Sequence, residues 1–404
     1  MKKNTTKVIK EANKYLVFQC ILSYEPVTVE EIITRTSLSR PTVLEVIRNF
    51  QQEGLIVKGG YSQPTGGRPA ELIHINKEAK YAVGIDFEFP NVRLAVANVK
   101  NEAVHGRNVS FELSDPADLV LQCLLEEVEC LIAESGVDRT KIAGIGMGIS
   151  GTINRTQGKS LHIKRIKGWD HIDIRQVLEE KFGVPVYIKN DVDLLALIEK
   201  QKYLPPDTED FAYIGIRSGI GSAIFYHNKP LSGIEGNAGY IGHTILNPEG
   251  PECACGNRGC LDAYSGEIAM NRRYRQLKAA KAQGTEPDAE NSYDTVSDFI
   301  RKAQEGDEDC ASILRQAAYY LGIGISNLVK TIEVETIVIG GCQNIKGTVF
   351  EEVVKTTIEQ YLNDDMELYV KLHIGQLKEE EYPLGASSYV LEHFFEKPSL
   401  SLTV

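Results

Sequence analysis

The stretch Gly242-His243-Thr244-Ile245-Leu246-Asn247-Pro248-Glu249-Gly250-Pro251-Glu252-Cys253-Ala254-Cys255-Gly256-Asn257-Arg258-Gly259-Cys260 places one histidine and three cysteines within eighteen residues. His243, Cys253, Cys255 and Cys260 form a Cys3His set, the sulfur and imidazole combination that closes a tetrahedral structural zinc site. Gly256 and Gly259 let the chain curl so that thiolates this close in sequence can face one ion. Cys253 and Cys255 are too near each other to bridge comfortably as a disulfide. The competing readings are reduced structural thiols or a disulfide, and zinc is favoured over both.

The other five of the eight cysteines, at 20, 123, 130, 310 and 342, are isolated and mostly in apolar runs. Cys123 and Cys130 lie seven apart in a helix-period pattern where buried free thiols are expected as core residues. Such usage fits a reducing, cytoplasmic compartment. No stretch reaches the eighteen or so apolar residues that a membrane span needs, and the N-terminus has no leader-like apolar run, so no membrane partner is expected.

The 404 residues are 42% hydrophobic, enough for two or three packed units. A net charge of −12 would argue against nucleic acid if it were even, but residues 1–80 hold twelve Lys and Arg against eight Glu and no Asp. A small basic segment on an acidic body suggests an appended nucleic-acid module. Its pattern agrees. Val8, Ala12, Tyr15, Leu16 and Leu22 recur at helical spacing, and Val29, Ile32 and Ile33 mark a second helix from near Thr28. Ser39 is a good N-cap for a third, with Pro41 in its first turn and Val43, Leu44, Ile47 and Phe50 as a buried stripe.

Thr36-Ser37-Leu38 then reads as the turn of a helix-turn-helix, with the helix from Ser39 to Gln52 placed for the major groove. Leu55–Val57 and Leu72–Ile75 read as strands flanking a wing. The candidate DNA contacts are Ser39, Arg40, Thr42 and Arg48 on that helix, and Arg68 in the wing loop Gly66-Gly67-Arg68-Pro69. A solvated helix face and a plain linker are the alternatives.

After Asn76 strands and helices alternate: YAVGIDF (81–87), VRLAVANV (92–99), a long helix from Pro116 to Ser135, IAGIGMGIS (142–150), VPVYIKND (184–191), FAYIGIR (211–217) and TIVIGGC (336–342). That alternation implies an α/β fold around a central sheet, with glycine-rich turns at strand ends facing a cleft.

The order of these pieces is more specific than any one of them. TGGRPA (65–70), YAVGID (81–86), GIGMGISGTI (144–153), Gly168-Trp169, IKNDV (188–192), SGIGSAI (218–224), GNAGYIGHTIL (236–246), CACGNRGCLDA (253–263) and IVIGG (337–341) together resemble the ROK family of sugar kinases and sugar-responsive repressors. The resemblance covers nearly the full length and is nearer the repressor branch. It implies a winged helix-turn-helix over 1–76 and an actin-like (ribonuclease H-like) body of two lobes. The first lobe is expected over 77–200 and the second, with zinc site and sugar pocket, over 201–384. A C-terminal helix from about 385 to 404, with Phe394 and Phe395, is expected to dock back on the first lobe.

The resemblance also implies site residues. Asp191 matches the family's catalytic base, and Gly151, Asn190, Asp191, Tyr240, His243 and Asp262 match its sugar pocket, with His243 serving both zinc and sugar. Two departures stand out. The kinases' first phosphate loop, Asp-x-Gly-Gly-Thr, reads Asp86-Phe87-Glu88-Phe89-Pro90 here. Two glycine N–H groups are gone, Glu88 repels phosphate and Pro90 has no N–H to donate. Tyr240 and Asp262 stand where the family usually has Glu, and Tyr240 is read equally as an aromatic filling a vacated site.

The reading is therefore a sugar-responsive DNA-binding regulator of carbohydrate use, a homodimer or homotetramer, with a DNA operator, a sugar or sugar-phosphate effector and a structural zinc. A kinase with an appended DNA-binding domain stays open because Asp191 and the second glycine loop persist. A scaffold that has lost small-molecule binding stays open because of Tyr240. The charged run from Asn271 to Arg301 reads as a helical insertion at the cleft edge or a dimer contact.

Overall fold

The computed structural model describes residues 2–63, 69–154, 157–233, 238–281, 293–362 and 369–395, with backbone alone for 2–7. Arg68 lies outside the described residues, as does 282–292 of the charged run.

The N-terminal module packs α1 (Lys2–Tyr24), α2 (Val29–Thr36) and α3 (Arg40–Gln52) on a hairpin of β1 (Ile56–Tyr61) and β2 (Glu71–Ile75). Thr28 and Glu31 close a capping box on α2, and the αL residue Ser37 ends it. Ser39 caps α3 through the Thr42 N–H, with Pro41 in the first turn. Val27 forms an isolated antiparallel bridge to Ile73, which ties the link between α1 and α2 to the hairpin.

Two stripes differ from the periodicity reading. On α3 the buried set is Val43, Val46, Ile47 and Phe50, with Leu44 half-buried. On α1 it is Val17, Phe18, Cys20 and Ile21, while Leu16 is exposed. The phase of α1 is set by aromatic partners distant in sequence: Phe18 meets Phe50 edge-on and stacks on Phe395 at 3.7 Å between centroids.

The body holds two five-stranded sheets of matching topology. The first has the order β10-β6-β3-β4-β5, built from β3 (Tyr81–Glu88), β4 (Asn91–Asn98), β5 (Ala103–Ser110), β6 (Ile142–Ile149) and β10 (Val186–Asn190). β3 to β5 form an antiparallel meander, and β6 and β10 lie parallel to β3. A small sheet of β7 (Thr152–Asn154), β8 (Lys159–His162) and β9 (Asp170–Ile172) stands beside it, and α4 (Ala117–Glu134) and α5 (Ile174–Phe182) cover it. The second large sheet runs β13-β12-β11-β14-β15, with β11 (Phe211–Ile216), β12 (Ile220–Tyr226) and β13 (Lys229–Pro230) as the meander. β14 (Thr336–Gly340) and β15 (Lys371–Ile374) are its parallel strands. Helices α7 (Asp262–Ser265), α8 (Glu267–Lys281), α9 (Val296–Gln304), α10 (Glu308–Ile332) and α11 (Val349–Tyr361) accompany the second sheet. This duplicated pattern is the actin-like architecture.

Between the sheets lie α6 (Asp191–Lys202) and α12 (Tyr382–Phe394), in a shared core of Ala95, Leu195, Tyr213 and Leu384. The backbone of α12 approaches the first sheet so closely that a Cβ on Gly146 would sit 2.1 Å from the Ala386 carbonyl oxygen. Only glycine allows that approach. The helix itself docks on the first lobe, but Phe395 does not: it joins the N-terminal module's core, and Phe394 is exposed. Cys123 is half-buried and Cys130 exposed, because the core face of α4 runs through Val120, Leu124, Val128 and Leu131. No helix among the described residues is long and apolar enough to cross a membrane.

Candidate functional site

A cleft of about 430 Å³ opens between the two sheets and is lined by Gly151, Asn190, Asp191, Tyr240, His243 and Asp262 together. Gly151 has φ +131° and a Cβ there would meet the His162 carbonyl oxygen at 2.7 Å, so both backbone and space demand glycine. Asn190 ends β10 and caps α6 through Val192 N–H at 3.1 Å. Asp262 opens α7, and its Oδ1 accepts from Ile220 N–H at 2.7 Å, so one of its oxygens anchors the β11–β12 turn and only the other is left for a ligand. Burial raises its pKa. Tyr240 is 40% exposed and forms cleft wall beside the His243 ring.

Asp191 is not a free base. It is 4% exposed, and its Oδ2 accepts from Arg217 Nη1 at 2.8 Å. The same guanidinium, 5% exposed, donates to both carboxylate oxygens of Asp86 at 2.7 and 2.8 Å and lies 3.1 Å from Glu88 Oε2. Arg217 comes from the turn after β11 in the second lobe, and its three partners from β3 and α6 in the first. A second guanidinium, Arg93, reaches Asp86 at 3.2 Å and also pairs with Glu379.

The charges sort by environment. Burial raises Asp86, but Arg217 and Arg93 override it and hold the carboxyl below its usual range. Burial also raises Asp191; Arg217 opposes this, yet the neighbouring Glu88 and Asp86 charges and a hydrogen bond with Glu88 leave it at about 7. Burial pushes Glu267, at the start of α8, up to about 7 as well. Folded Asp191 and Glu267 therefore hold protons that the unfolded chain has released above the ordinary carboxylate range. Their contribution is present below about pH 4 and lost as pH rises through about 7. Unfolding midpoints in urea, followed by the single tryptophan Trp169, are expected to be higher at pH 6 than at pH 8. A midpoint that rises over that interval overturns the assignment.

The segment Phe87–Pro90 forms a tight turn in which Glu88 and Asn91 oppose each other. Phe89 is buried and stacks on Phe111, and its carbonyl accepts from Arg165 Nη1 at 2.8 Å. An apolar plug stands where a phosphate loop needs open N–H groups. The cavity on the far side of Arg217, lined by Glu88, Phe89, Arg93, Glu267 and Tyr382 among others, measures about 40 Å³. Ligand sites ordinarily start at about 300 Å³, so it has no room for a nucleotide. Arg217 directly precedes the second glycine loop, Ser218-Gly219-Ile220-Gly221. Arg217 was missed, though a lone cation directly before Ser218-Gly219 was the available signal.

His243, Cys253, Cys255 and Cys260 bring their ligand atoms within 4.8 Å of one another. His243 Nδ1 lies 3.7 Å from Cys253 Sγ, and Cys255 Sγ lies 3.7 Å from Cys260 Sγ. Zinc–sulfur bonds of about 2.3 Å at tetrahedral angles give edges near 3.8 Å, so the donor set fits zinc in both chemistry and spacing. Four protein ligands leave no open position, so a zinc here is structural. Leu246 N–H to Gly259 and Gly259 N–H to Pro251 fix the loop around it.

Residues 82–393 match the model of the ROK family. The chain belongs to the ROK family. It is 28% identical over 396 residues to a xylose repressor of Caldicellulosiruptor bescii, covering 97% of this chain and 98% of that one. It is 24% identical to the DNA-binding transcriptional dual regulator NagC of Escherichia coli, covering 88% and 86%. Among solved structures, a ROK family transcriptional regulator described as a homologue of E. coli MLC superposes with a TM-score of 0.79 at 22% identity, covering 97% of this chain and 98% of that one. The matches to the xylose repressor and to the MLC homologue cover 97% of the chain and so take in the N-terminal module as well as the ROK body.

Within that module Ser39, Arg40 and Thr42 sit at the start of α3 and Arg48 in its second half. Ser39, Arg40 and Arg48 are exposed and Thr42 is half-buried. Ser39 Oγ is occupied in capping and in a 2.8 Å hydrogen bond to Thr42 Oγ1, and Arg40 pairs with Glu30 of α2.

Proposed function

We propose that this ROK protein is a sugar-responsive repressor of carbohydrate-utilisation genes that binds a DNA operator and does not phosphorylate sugar. The observation that carries it is Arg217: a buried guanidinium holds the base position Asp191 in an ion cluster and closes the space beyond it. A general base must be free to take a proton from the attacking hydroxyl. Asp191 is buried and its Oδ2 is taken up by the Arg217 guanidinium at 2.8 Å. The cleft in front of it stays open, with hydroxyl and amide groups suited to a sugar. Asn190, Tyr240, His243, Asp262 and the backbone around Gly151 would hold the sugar, with zinc fixing the orientation of His243.

The route to DNA has a structural basis. α6 carries Asp191 at its start, and α12 packs on α6, with Ser388 Oγ donating to Gln201 Oε1 at 2.9 Å. α12 leads into Phe395, stacked on Phe18 of the DNA-binding module. A ligand that shifts α6 thus acts on an element in contact with α1. In a dimer, closure would change the spacing of the two α3 helices against an operator repeat of about 10.5 base pairs. A tenfold loss of operator affinity needs about 1.4 kcal/mol of coupling.

Arg40→Ala is expected to relax base selectivity, with the Glu30 pair making its loss cheap in the free protein. Arg68→Ala is expected to weaken binding to all sequences and lower the salt slope by about one. Fluorescence anisotropy on a selected operator across a salt series checks both. If the full chain binds no DNA at moderate salt, with or without sugars, the scaffold reading takes the repressor's place.

The kinase alternative is tested by coupled ADP release with a sugar panel. No turnover is expected; about one per second, within the ordinary kinase range and abolished by Asp191→Asn, would reinstate it.

A further inference from the structure

A second cluster of ligating side chains stands apart from the Cys3His loop. His162 ends β8 and Asp170 begins β9, and the two are directly paired across the antiparallel ladder. His162 Nδ1 lies 2.9 Å from Asp170 Oδ1, and His171 Nε2 lies 3.7 Å from the same oxygen. One ligand atom from each of the three falls within 4.8 Å of the others, and all three residues are exposed.

Consecutive residues of a strand point to opposite faces, so Asp170 and His171 would ordinarily part. His171 has φ +49°, a left-handed conformation that histidine adopts more readily than most residues, and this turn of the backbone brings its ring to the carboxylate. For bonds of about 2.0–2.1 Å, neighbouring ligand atoms sit roughly 2.9 Å apart in octahedral and 3.4 Å in tetrahedral coordination. The two edges at Asp170, 2.9 and 3.7 Å, span that range, and the edge between the two imidazoles is within 4.8 Å.

We infer that His162, Asp170 and His171 form a second metal site, for a divalent ion of imidazole-preferring character such as Ni2+, Co2+ or Zn2+. Two imidazoles and one carboxylate select this class over Mg2+ or Ca2+, which take all-oxygen shells. Three protein ligands leave coordination positions for water or a ligand, unlike the closed Cys3His set. The place matters for the cleft. His162 is also a cleft-lining residue, and its carbonyl oxygen is the atom that excludes a side chain at position 151. An ion here would tie β8 to β9 at the point where β8 enters the cleft wall.

The test is titration of the full-length protein, its zinc content measured beforehand, with Ni2+ by calorimetry and with Co2+ by absorption. One additional ion per chain is expected, and the Co2+ spectrum should lack the sulfur-to-metal charge-transfer bands that occupation of the cysteine loop would give. His171→Ala and, separately, Asp170→Asn should each weaken binding by at least about tenfold, in line with losses seen when metal-site support is removed. Cys255→Ser should leave it in place, which separates this site from the fate of the zinc reading. Absence of a second binding event, a sulfur-type Co2+ spectrum, or parent-like affinity in either variant overturns the proposal.

Discussion

Replacing Arg217 by Ala is expected to cost about 3–5 kcal/mol of folding stability, the usual loss when one partner of a buried ion cluster is removed. The parent balances three buried carboxylates, Asp86, Glu88 and Asp191, against the guanidinium of Arg217, with Arg93 helping at Asp86 alone. Without Arg217 they face one another in a dry site between the lobes. Asp86 then loses the main cation that holds its carboxyl low and Asp191 the one that opposes its rise, so the variant takes up more protons on folding than the parent does and its deficit narrows as pH falls from 8 to 5. Arg217→Lys should recover only part of the loss, because one ammonium cannot reproduce a fork that meets three carboxylates. Urea unfolding at pH 8 and pH 5 for the parent and both variants is the measurement. A variant within about 0.5 kcal/mol of the parent, the range of ordinary surface changes, would mean the cluster does not hold the lobes as described. Because Phe89 and Pro90 still block the first loop, no kinase activity is expected to appear in either variant.

The second large effect concerns the metal. Purified protein should carry one zinc per chain at the Cys3His loop, and Cys260→Ser should carry none there and lose the ordered loop from Thr244 to Leu261. Cys260 is fully buried, and the loop's residues lean on backbone hydrogen bonds from Leu246 and Gly259 rather than on a helix or sheet of their own. Structural zinc in small domains supplies on the order of 10 kcal/mol of apparent folding energy, and a loop built the same way should depend on it comparably. Because His243 and Asp262 border the loop, any sugar-dependent rise in melting temperature should vanish with the metal, while the N-terminal module keeps its own core. Metal analysis together with thermal scans in the presence of a sugar panel checks this. Zinc stoichiometry near zero under reducing conditions, or an unchanged second-lobe transition in Cys260→Ser, would overturn it.

What the sequence determined by itself was local or compositional. The Cys3His quartet was legible because its four side chains fall in eighteen residues, so chain geometry alone brings them near one another. The third helix was legible because Ser39 and Pro41 act on neighbouring N–H groups and fixed dihedrals. The lost phosphate loop was legible because Pro90 and Glu88 fail whatever surrounds them.

Tertiary structure decided everything that depends on partners far apart in the chain. Arg217 and Asp86 are 131 residues apart, and although a cation just before Ser218-Gly219 marks Arg217 as unusual, nothing in its neighbourhood tells which carboxylates of the other sheet it will meet. The phase of α1 was misread for the same reason: Phe18 is buried by Phe50 and Phe395, so periodicity within the helix could not choose between neighbouring stripes. Asp262 was legible as a cleft residue but not as an anchor, since its hydrogen bond to Ile220 exists only once α7 packs against the turn after β11. Short-range patterns fix caps, turns and ligand sets because their energies are set within a few residues; ion clusters and aromatic stacks are set by which surfaces the fold brings together.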